Sequence, residues 1–295
     1  MPQESTVGAT VQKPSTPLDS GQQSQYHEKG YVFPIRVIEE SNATDLANRF
    51  EDYFRANWEG IKDRPAREHS SVLIETHLIL NWVYQVVSHP RVLDAVESVL
   101  GPNLFVWSSG WIPEMPGDKK YVSWHQDATY WGLHPPKAVT AWIAFTESVP
   151  ENGCMRVIPA THHGPLLPQE ETYAQDNVLS RGQEISVQVD ESKAVDLILR
   201  PGQMSLHHIG LVHSSKPNES AKPRIGLAVR YISTEVVQDV TVKQCATLVR
   251  GKDNLGHFHV VEPPGDDEIS PQDEQRREDA LNRMRANNLT PKKSQ

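Results

Sequence analysis

Up to Leu100 the apolar positions of this chain recur mostly every three or four residues; from Leu104 onward they recur mostly every second residue. Starting at Leu46, the residues Phe50, Tyr53, Phe54, Trp58 and Ile61 fall on one face of a helix of about four turns. Ser41 or Asn42 is placed to cap its start. The same spacing returns at Trp82, Val83, Val86 and Val87. It returns again after Pro90, at Val92, Leu93, Ala95, Val96 and Leu100, and Gly101-Pro102 ends it. Gly30 to Ile35 reads as an early strand. Leu104 to Trp107, Val139 to Phe145, Glu184 to Val189, Ala194 to Leu199, Met204 to His208 and Arg224 to Ile232 read as later ones. Turn sequences separate them: Glu151-Asn152-Gly153, Pro201-Gly202 and Lys216-Pro217-Asn218. Helices followed by many short strands predict a mainly β fold, a barrel or jelly roll with flanking helices packed on one sheet.

The ends of the chain differ from its middle. Residues 1–25 hold few large apolar groups to offset the entropy of ordering, so they read as a disordered tail. Residues 26–262 form one expected domain. Residues 263–295 read as a polar C-terminal tail in which Asp273 to Arg285 form a helix with little to bury. A net charge of −9 and a pI near 5.8 argue against nucleic acid or an anionic membrane as partner. No apolar run approaches the roughly 18 residues that span a bilayer, and the N-terminal stretch lacks the apolar segment of a secretory signal. Cys154 and Cys245 provide neither a disulfide framework nor zinc spacing. These features predict a cytoplasmic monomer or homodimer acting on a small molecule.

The chemistry concentrates in Trp124-His125-Gln126-Asp127, with His213 and Arg224 far downstream. On a strand, side chains two apart point the same way, so His125 and Asp127 can share one interior. His213, which follows a mostly apolar stretch, would complete two imidazoles and one carboxylate on one side of a metal. That set leaves coordination positions open and suits non-haem Fe(II). Arg224 lies 11 residues beyond His213 and suits bidentate capture of a carboxylate. In its strand, Arg224, Gly226, Ala228 and Arg230 alternate with Ile225, Leu227, Val229 and Tyr231. A face of small residues with two arginines fits either a cavity that receives an anion or a solvated surface. Thr140, Trp142 and Ala144 share a face on another strand.

Taken together, Trp124 to Asp127, Ala141-Trp142, the segment Glu151 to Pro159, His213-Ser214-Ser215 and Arg224 resemble the phytanoyl-CoA dioxygenase family of Fe(II)/2-oxoglutarate-dependent oxygenases. The resemblance spans roughly residues 26–240. It implies a double-stranded β-helix core, Fe(II) bound by His125, Asp127 and His213, and 2-oxoglutarate and O2 as co-substrates. It also implies that Arg224 binds the distal carboxylate of 2-oxoglutarate beside Ser215, with Trp142 and Thr140 lining the co-substrate. Asn152 and Gly153 would be structural. Because Asp127 fills the position that a halide would take, hydroxylation of a small molecule is expected. A desaturase or cyclising oxygenase, a cupin-like metal enzyme and a binding module remain as alternatives.

The expected substrate contacts are His77, Ser108, Tyr121, Thr129, Tyr130, Trp131, Arg156, His208 and Arg230. Arg156 and Arg230 are the candidates for a second anion site, although a surface ion pair explains Arg156 equally well. His207 and His208 are adjacent on a strand and therefore face opposite ways. No basic cluster suits the phosphates of coenzyme A, which argues for an amino acid, amine, phosphonate or natural-product scaffold.

Overall fold

The period-two segments pair into sheets. In chain order the strands are β1 (Tyr31–Arg36), β2 (Leu104–Glu114), β3 (Val122–His125), β4 (Leu133–His134), β5 (Ala138–Ala144), β6 (Met155–Ile158), β7 (Gln169–Glu171), β8 (Gln183–Ile185), β9 (Val195–Asp196), β10 (Gln203–His208), β11 (Val212–Ser215), β12 (Arg224–Ser233), β13 (Val237–Gln238), β14 (Cys245–Arg250) and β15 (His259–Val260). The computed structural model describes residues 17–59, 72–179, 182–266 and 268–288. Seven strands form one sheet in the order β1-β10-β5-β12-β2-β14-β15, and four form a second in the order β3-β11-β6-β9. Strands distant in sequence interleave in both, as the expected jelly roll requires.

The alternation along β5 and β12 decides what each face of the large sheet does. Val139, Ala141 and Ile143 on β5 join Ile225, Leu227, Val229 and Tyr231 on β12 in one apolar cluster. That cluster includes Ala47 and Phe50 from the helix Glu40–Trp58, Val83 and Val86 from Asn81–Val87, and Val92, Leu93 and Val96 from Pro90–Leu100. The opposite face carries Thr140, Trp142 and Ala144 beside Arg230, Ala228 and Gly226, paired in register. Burying both faces excludes water from the strands and leaves a small, partly polar interior between the sheets. Gly226 is required there, because a Cβ at that position would collide with the Trp142 ring.

Several expectations change at the edges. The helix over residues 40–58 has Glu39 at its N-cap with no side-chain cap bond, so Ser41 and Asn42 lie inside its first turn. Ile61 lies outside the described residues, as do residues 1–16 of the expected tail. Residues 20–29 of the chain form a helix, stabilised by a capping box between Asp19 and Gln22 and by burial of Tyr26. The C-terminal helix Pro271–Asn288 is not a free polar tail. Its Ala280 and Leu281 are buried, Arg276 donates to the Leu78 carbonyl (3.1 Å) and Arg277 to the Ile74 carbonyl (3.1 Å). The scarcity of apolar residues in this segment concealed its docking, because the anchoring is done by arginines reaching backbone carbonyls. Both cysteines are free and buried, in keeping with the absence of a disulfide framework.

One further feature positions the site. β14 pairs only with residues 104–106 of β2, so the remainder of β2 would expose an unpaired edge. The segment Leu73–Glu75 covers it: Trp111 donates to the Leu73 carbonyl (2.9 Å) and Glu75 to the Ser109 carbonyl (2.8 Å).

Candidate metal centre

His125 ends β3, and His213 on β11 lies directly opposite it. Asp127 is not on the same strand as His125: its backbone is helical (φ −55°, ψ −41°) and it opens the short helix Ala128–Trp131. Gln126 makes this turn possible. It is buried, its amide nitrogen donates to the Gly210 carbonyl (2.6 Å), and its oxygen accepts from the Leu167 N–H (2.8 Å). The three expected ligands therefore converge through a strand end and a turn rather than through strand pleat. Their ligand atoms all lie within 4.8 Å of one another. His125 Nε2 is 3.5 Å from Asp127 Oδ1, and the His125 and His213 rings are 4.0 Å apart.

The imidazole tautomers follow from their partners. Nδ1 of His125 faces the Ser123 carbonyl and Nδ1 of His213 faces the Leu211 carbonyl, each at 2.9 Å. A carbonyl only accepts, so each Nδ1 donates, and each Nε2 is left for the interior that holds Asp127. Burial, then His125, holds His213 well below the usual histidine range, so it is neutral and able to ligate. Burial opposes ionisation of Asp127, but the hydrogen bond from His125 and the surrounding imidazoles outweigh it and hold the carboxyl well below its usual range. Two imidazoles and one carboxylate, packed together, match the 2-His-1-carboxylate donor set.

The residues expected around 2-oxoglutarate lie in the same interior. Thr140 donates to Asp127 Oδ2 (3.3 Å). Arg224 is 2% exposed, its guanidinium stands 5.3 Å from the Trp142 ring, and its Nε donates to the Asn152 carbonyl (3.1 Å). Asn152 bonds both the Val149 N–H and the Glu147 carbonyl. The Asn152 carbonyl also holds Arg224. Arg224 Nη2 pairs with Glu114, directly opposite it on β2. Burial pushes the Glu114 carboxyl up to about 7 against the pull of Arg224. Four buried polar atoms in this region lack partners among the described residues: Ser215 Oγ, Ser205 Oγ, His207 Nδ1 and Glu114 Oε2.

The expected substrate contacts divide. Ser108 faces the interior, opposite Arg230, and donates to Glu75 (2.7 Å). Trp131 packs on Trp107, with ring centroids 5.1 Å apart, and stands 6.0 Å from the Arg230 guanidinium. Thr129 and Tyr130 follow Asp127 and both bond Gln169. Tyr121 is tied by backbone to Asp176 and Asn177. Arg156 is not at an anion site; it pairs with Glu191 (2.7 Å) and Asp196 (3.3 Å) on the outer side of the small sheet. Alternation along β6 puts Met155 and Val157 inward and Arg156 outward. His208 is also turned away, receiving the Gly210 N–H and packing near His162. Its neighbour His207 occupies the interior instead, with Nε2 3.9 Å from Asp127 Oδ2. The signal was present: Ser205 and His207 share one parity, while Met204, Leu206 and His208 share the other. Glu75 and Glu114 had no comparable signal, because their partners are distant in sequence.

His77 bonds Ser109 (2.8 Å), whose strand partner Val229 faces the helical layer, and its Nδ1 also stands 3.7 Å from Glu75 Oε2 at the edge of β2. Burial and then Arg277 lower His77 to about 3. Unfolded, it takes up a proton near 6.5. The unfolded chain therefore binds the extra proton between those values, and the stability His77 contributes is complete above pH 6.5 and lost as pH falls toward 3. Glu75 and Glu114, both raised to about 7, contribute the opposite slope between about 4.5 and 7, so the two proteins must be compared directly. Below pH 6.5 the wild type is expected to lose stability relative to His77→Asn by up to about 1.4 kcal/mol per pH unit. Urea titrations of both at several pH values measure this, and parallel curves would refute it.

Comparison with known proteins follows the same lines. The family model described as phytanoyl-CoA dioxygenase (PhyH) matches residues 26–226. The peroxisomal phytanoyl-CoA dioxygenase of Bos taurus is 24% identical over 80% of this chain and 77% of its own length. Several other phytanoyl-CoA dioxygenases align over only about half of theirs. A probable alpha-ketoglutarate-dependent hypophosphite dioxygenase of Stutzerimonas stutzeri is 24% identical over 72% of this chain and 78% of its own. Among solved structures, the non-heme monooxygenase ThoJ in its apo form is 31% identical, with a TM-score of 0.79 over 90% of this chain and 97% of that one.

Proposed function

The chain belongs to the phytanoyl-CoA dioxygenase family, and from that premise we propose that it is an Fe(II)/2-oxoglutarate-dependent dioxygenase that hydroxylates an unactivated C–H bond of a small molecule. The single observation that carries this reading is the convergence of two buried imidazoles and Asp127, their ligand atoms within 4.8 Å of one another, in the same interior as Arg224. His125, Asp127 and His213 would hold the iron. When bound, iron and 2-oxoglutarate together supply the oxidation, consuming O2 and releasing succinate and carbon dioxide.

The protein's part is position and exclusion of water. The Ser123 and Leu211 carbonyls fix both imidazoles, and Thr140 orients the Asp127 carboxylate. Arg224 would anchor the far carboxylate of 2-oxoglutarate by charge-assisted hydrogen bonds. Its Nη1 has no hydrogen-bond partner among the described residues, and Ser215 Oγ is likewise unmet. A second carboxylate on Arg224 is compatible with Glu114, whose raised affinity for a proton lets it give up its charge near neutral pH. Trp142, buried over Gly226, walls this space.

Retention of Asp127 supports oxygenation over halide transfer, since the carboxylate takes the position a halide would need. No helix among the described residues is long and apolar enough to cross a membrane. A cytoplasmic monomer or homodimer acting on a small molecule completes the reading. The test is succinate formation from 2-oxoglutarate. It should require both added Fe(II) and O2, and should rise with a productive substrate from a panel of amino acids, amines, phosphonates and fatty acyl compounds. Succinate release that is indifferent to iron removal would refute it.

A further inference from the structure

The interior face carries a second polar cluster level with the metal ligands. Ser108, Arg230, Thr140 and His207 lie directly opposite one another across β2, β12, β5 and β10. Residues paired directly across antiparallel strands share a face. Thr140 and His207 both approach Asp127, so the whole row faces the metal centre. With strands about 4.8 Å apart, Ser108 stands about 10 Å from Thr140 across the sheet. Its hydroxyl donates to Glu75 Oε1 (2.7 Å), so Glu75 extends the row past the edge of β2.

Glu75 is 3% exposed and has a left-handed backbone (φ 55°). A non-glycine residue holds that conformation where its surroundings impose it, often at functional sites. Arg230, next in the row, has no hydrogen-bond or ion-pair partner among the described residues. Its Nη1 lies over Gly110, 3.4 Å from where a Cβ would stand, so the missing side chain leaves room for the guanidinium. Trp107 sits at a register shift between β2 and β12, and its indole N–H is buried without a partner among the described residues. Bulges of this kind re-aim side chains beside active sites.

We infer that Glu75, with Ser108, and Arg230 form the substrate-recognition subsite, and that it selects a zwitterion: a free α-amino acid with its ammonium on Glu75 and its carboxylate on Arg230. The inference deepens the oxygenase reading and rests on it, because the metal end of the row sets where the oxidised side-chain carbon lies. Glu75 and Arg230 both flank Ser108, one past the edge of β2 and the other opposite it on β12, so a small zwitterion lying over Ser108 faces both charges. A ligand without a cation offers Glu75 no charged partner, which discriminates against it. An acyl-CoA offers phosphates and no cation, so the subsite disfavours it.

The full chain, anaerobic with Fe(II) and 2-oxoglutarate, is titrated calorimetrically with free L-amino acids and with the N-acetyl and C-amide forms of each. At least one free amino acid should bind about tenfold or more tighter than either blocked form. Glu75→Gln should abolish discrimination against the N-acetyl form only. Arg230→Gln should abolish discrimination against the C-amide form only. Equal binding of free and blocked forms, binding of none, or equal loss of every probe in both variants would each overturn the inference. Binding here needs no turnover, so conversion of 2-oxoglutarate to succinate in the same preparation tests the oxygenase reading separately.

Discussion

His213→Ala is expected to abolish metal binding and to lower 2-oxoglutarate turnover by more than 100-fold. Loss of a partner that merely orients a metal ligand costs about 10- to 100-fold, and this substitution removes a ligand outright. His213 is buried and neutral, with Nδ1 committed to the Leu211 carbonyl and its ring 4.0 Å from that of His125, whose Nε2 faces Asp127 Oδ1. No other imidazole on β11 can replace it. His207 is near, with ring centroids 4.7 Å apart, but its Nε2 lies toward the other oxygen of Asp127. A readout independent of activity is thermal stability under anaerobic Fe(II). A metal that binds only the folded state stabilises it by about 2.7 kcal/mol at 100 times its Kd. The wild type should show that shift and the variant should not. A metal-dependent shift of equal size in both proteins would remove His213 from the metal centre.

Removing the guanidinium of Arg224 should have the next largest effect, in two separable parts. Arg224→Met leaves Glu114 buried without its counter-charge, and breaking such a pair costs about 3–5 kcal/mol. Arg224 favours the ionised form of Glu114, so its loss pushes that carboxyl higher still. The destabilisation should therefore be largest above pH 7 and shrink as the pH falls and Glu114 takes up a proton. The double variant Glu114→Met/Arg224→Met replaces the pair with apolar groups, a change that is often neutral or stabilising. It should recover most of the stability while binding 2-oxoglutarate no better than the single variant. Urea unfolding measures the first part and titration of the metal-loaded protein with 2-oxoglutarate the second. If the double variant regains co-substrate binding, Arg224 is a structural ion pair and not an anchor.

Both experiments address residues whose type was legible in the sequence and whose surroundings were not. His125, Asp127 and His213 announce a metal by donor chemistry alone, and the alternation around Arg224 announces a small-residue face. The way Asp127 reaches the metal was hidden, because it depends on Gln126 bonding Gly210 and the Leu167 N–H, contacts 84 and 41 residues away. Glu114 was hidden because it becomes the partner of Arg224 only when β2 and β12 align, 110 residues apart. Parity distinguishes His207 from His208, but both faces of β10 are largely buried, and burial alone does not say which face meets the metal centre. Arg156 illustrates the reverse: its charge suggested an anion site, and its orientation gives it to Glu191 and Asp196.

Local physics settled the elements. Spacing of apolar side chains separates helix from strand, and turn residues divide the strands, because both depend on neighbours along the chain. The donor types of the metal centre are equally local facts. Only the packed sheets could bring an acid to Arg224, set Glu75 at the end of a row with Arg230, and turn one histidine of an adjacent pair inward. Those outcomes follow from strand register, and register is fixed by which buried faces fit together across the whole molecule, information that no short stretch of sequence contains.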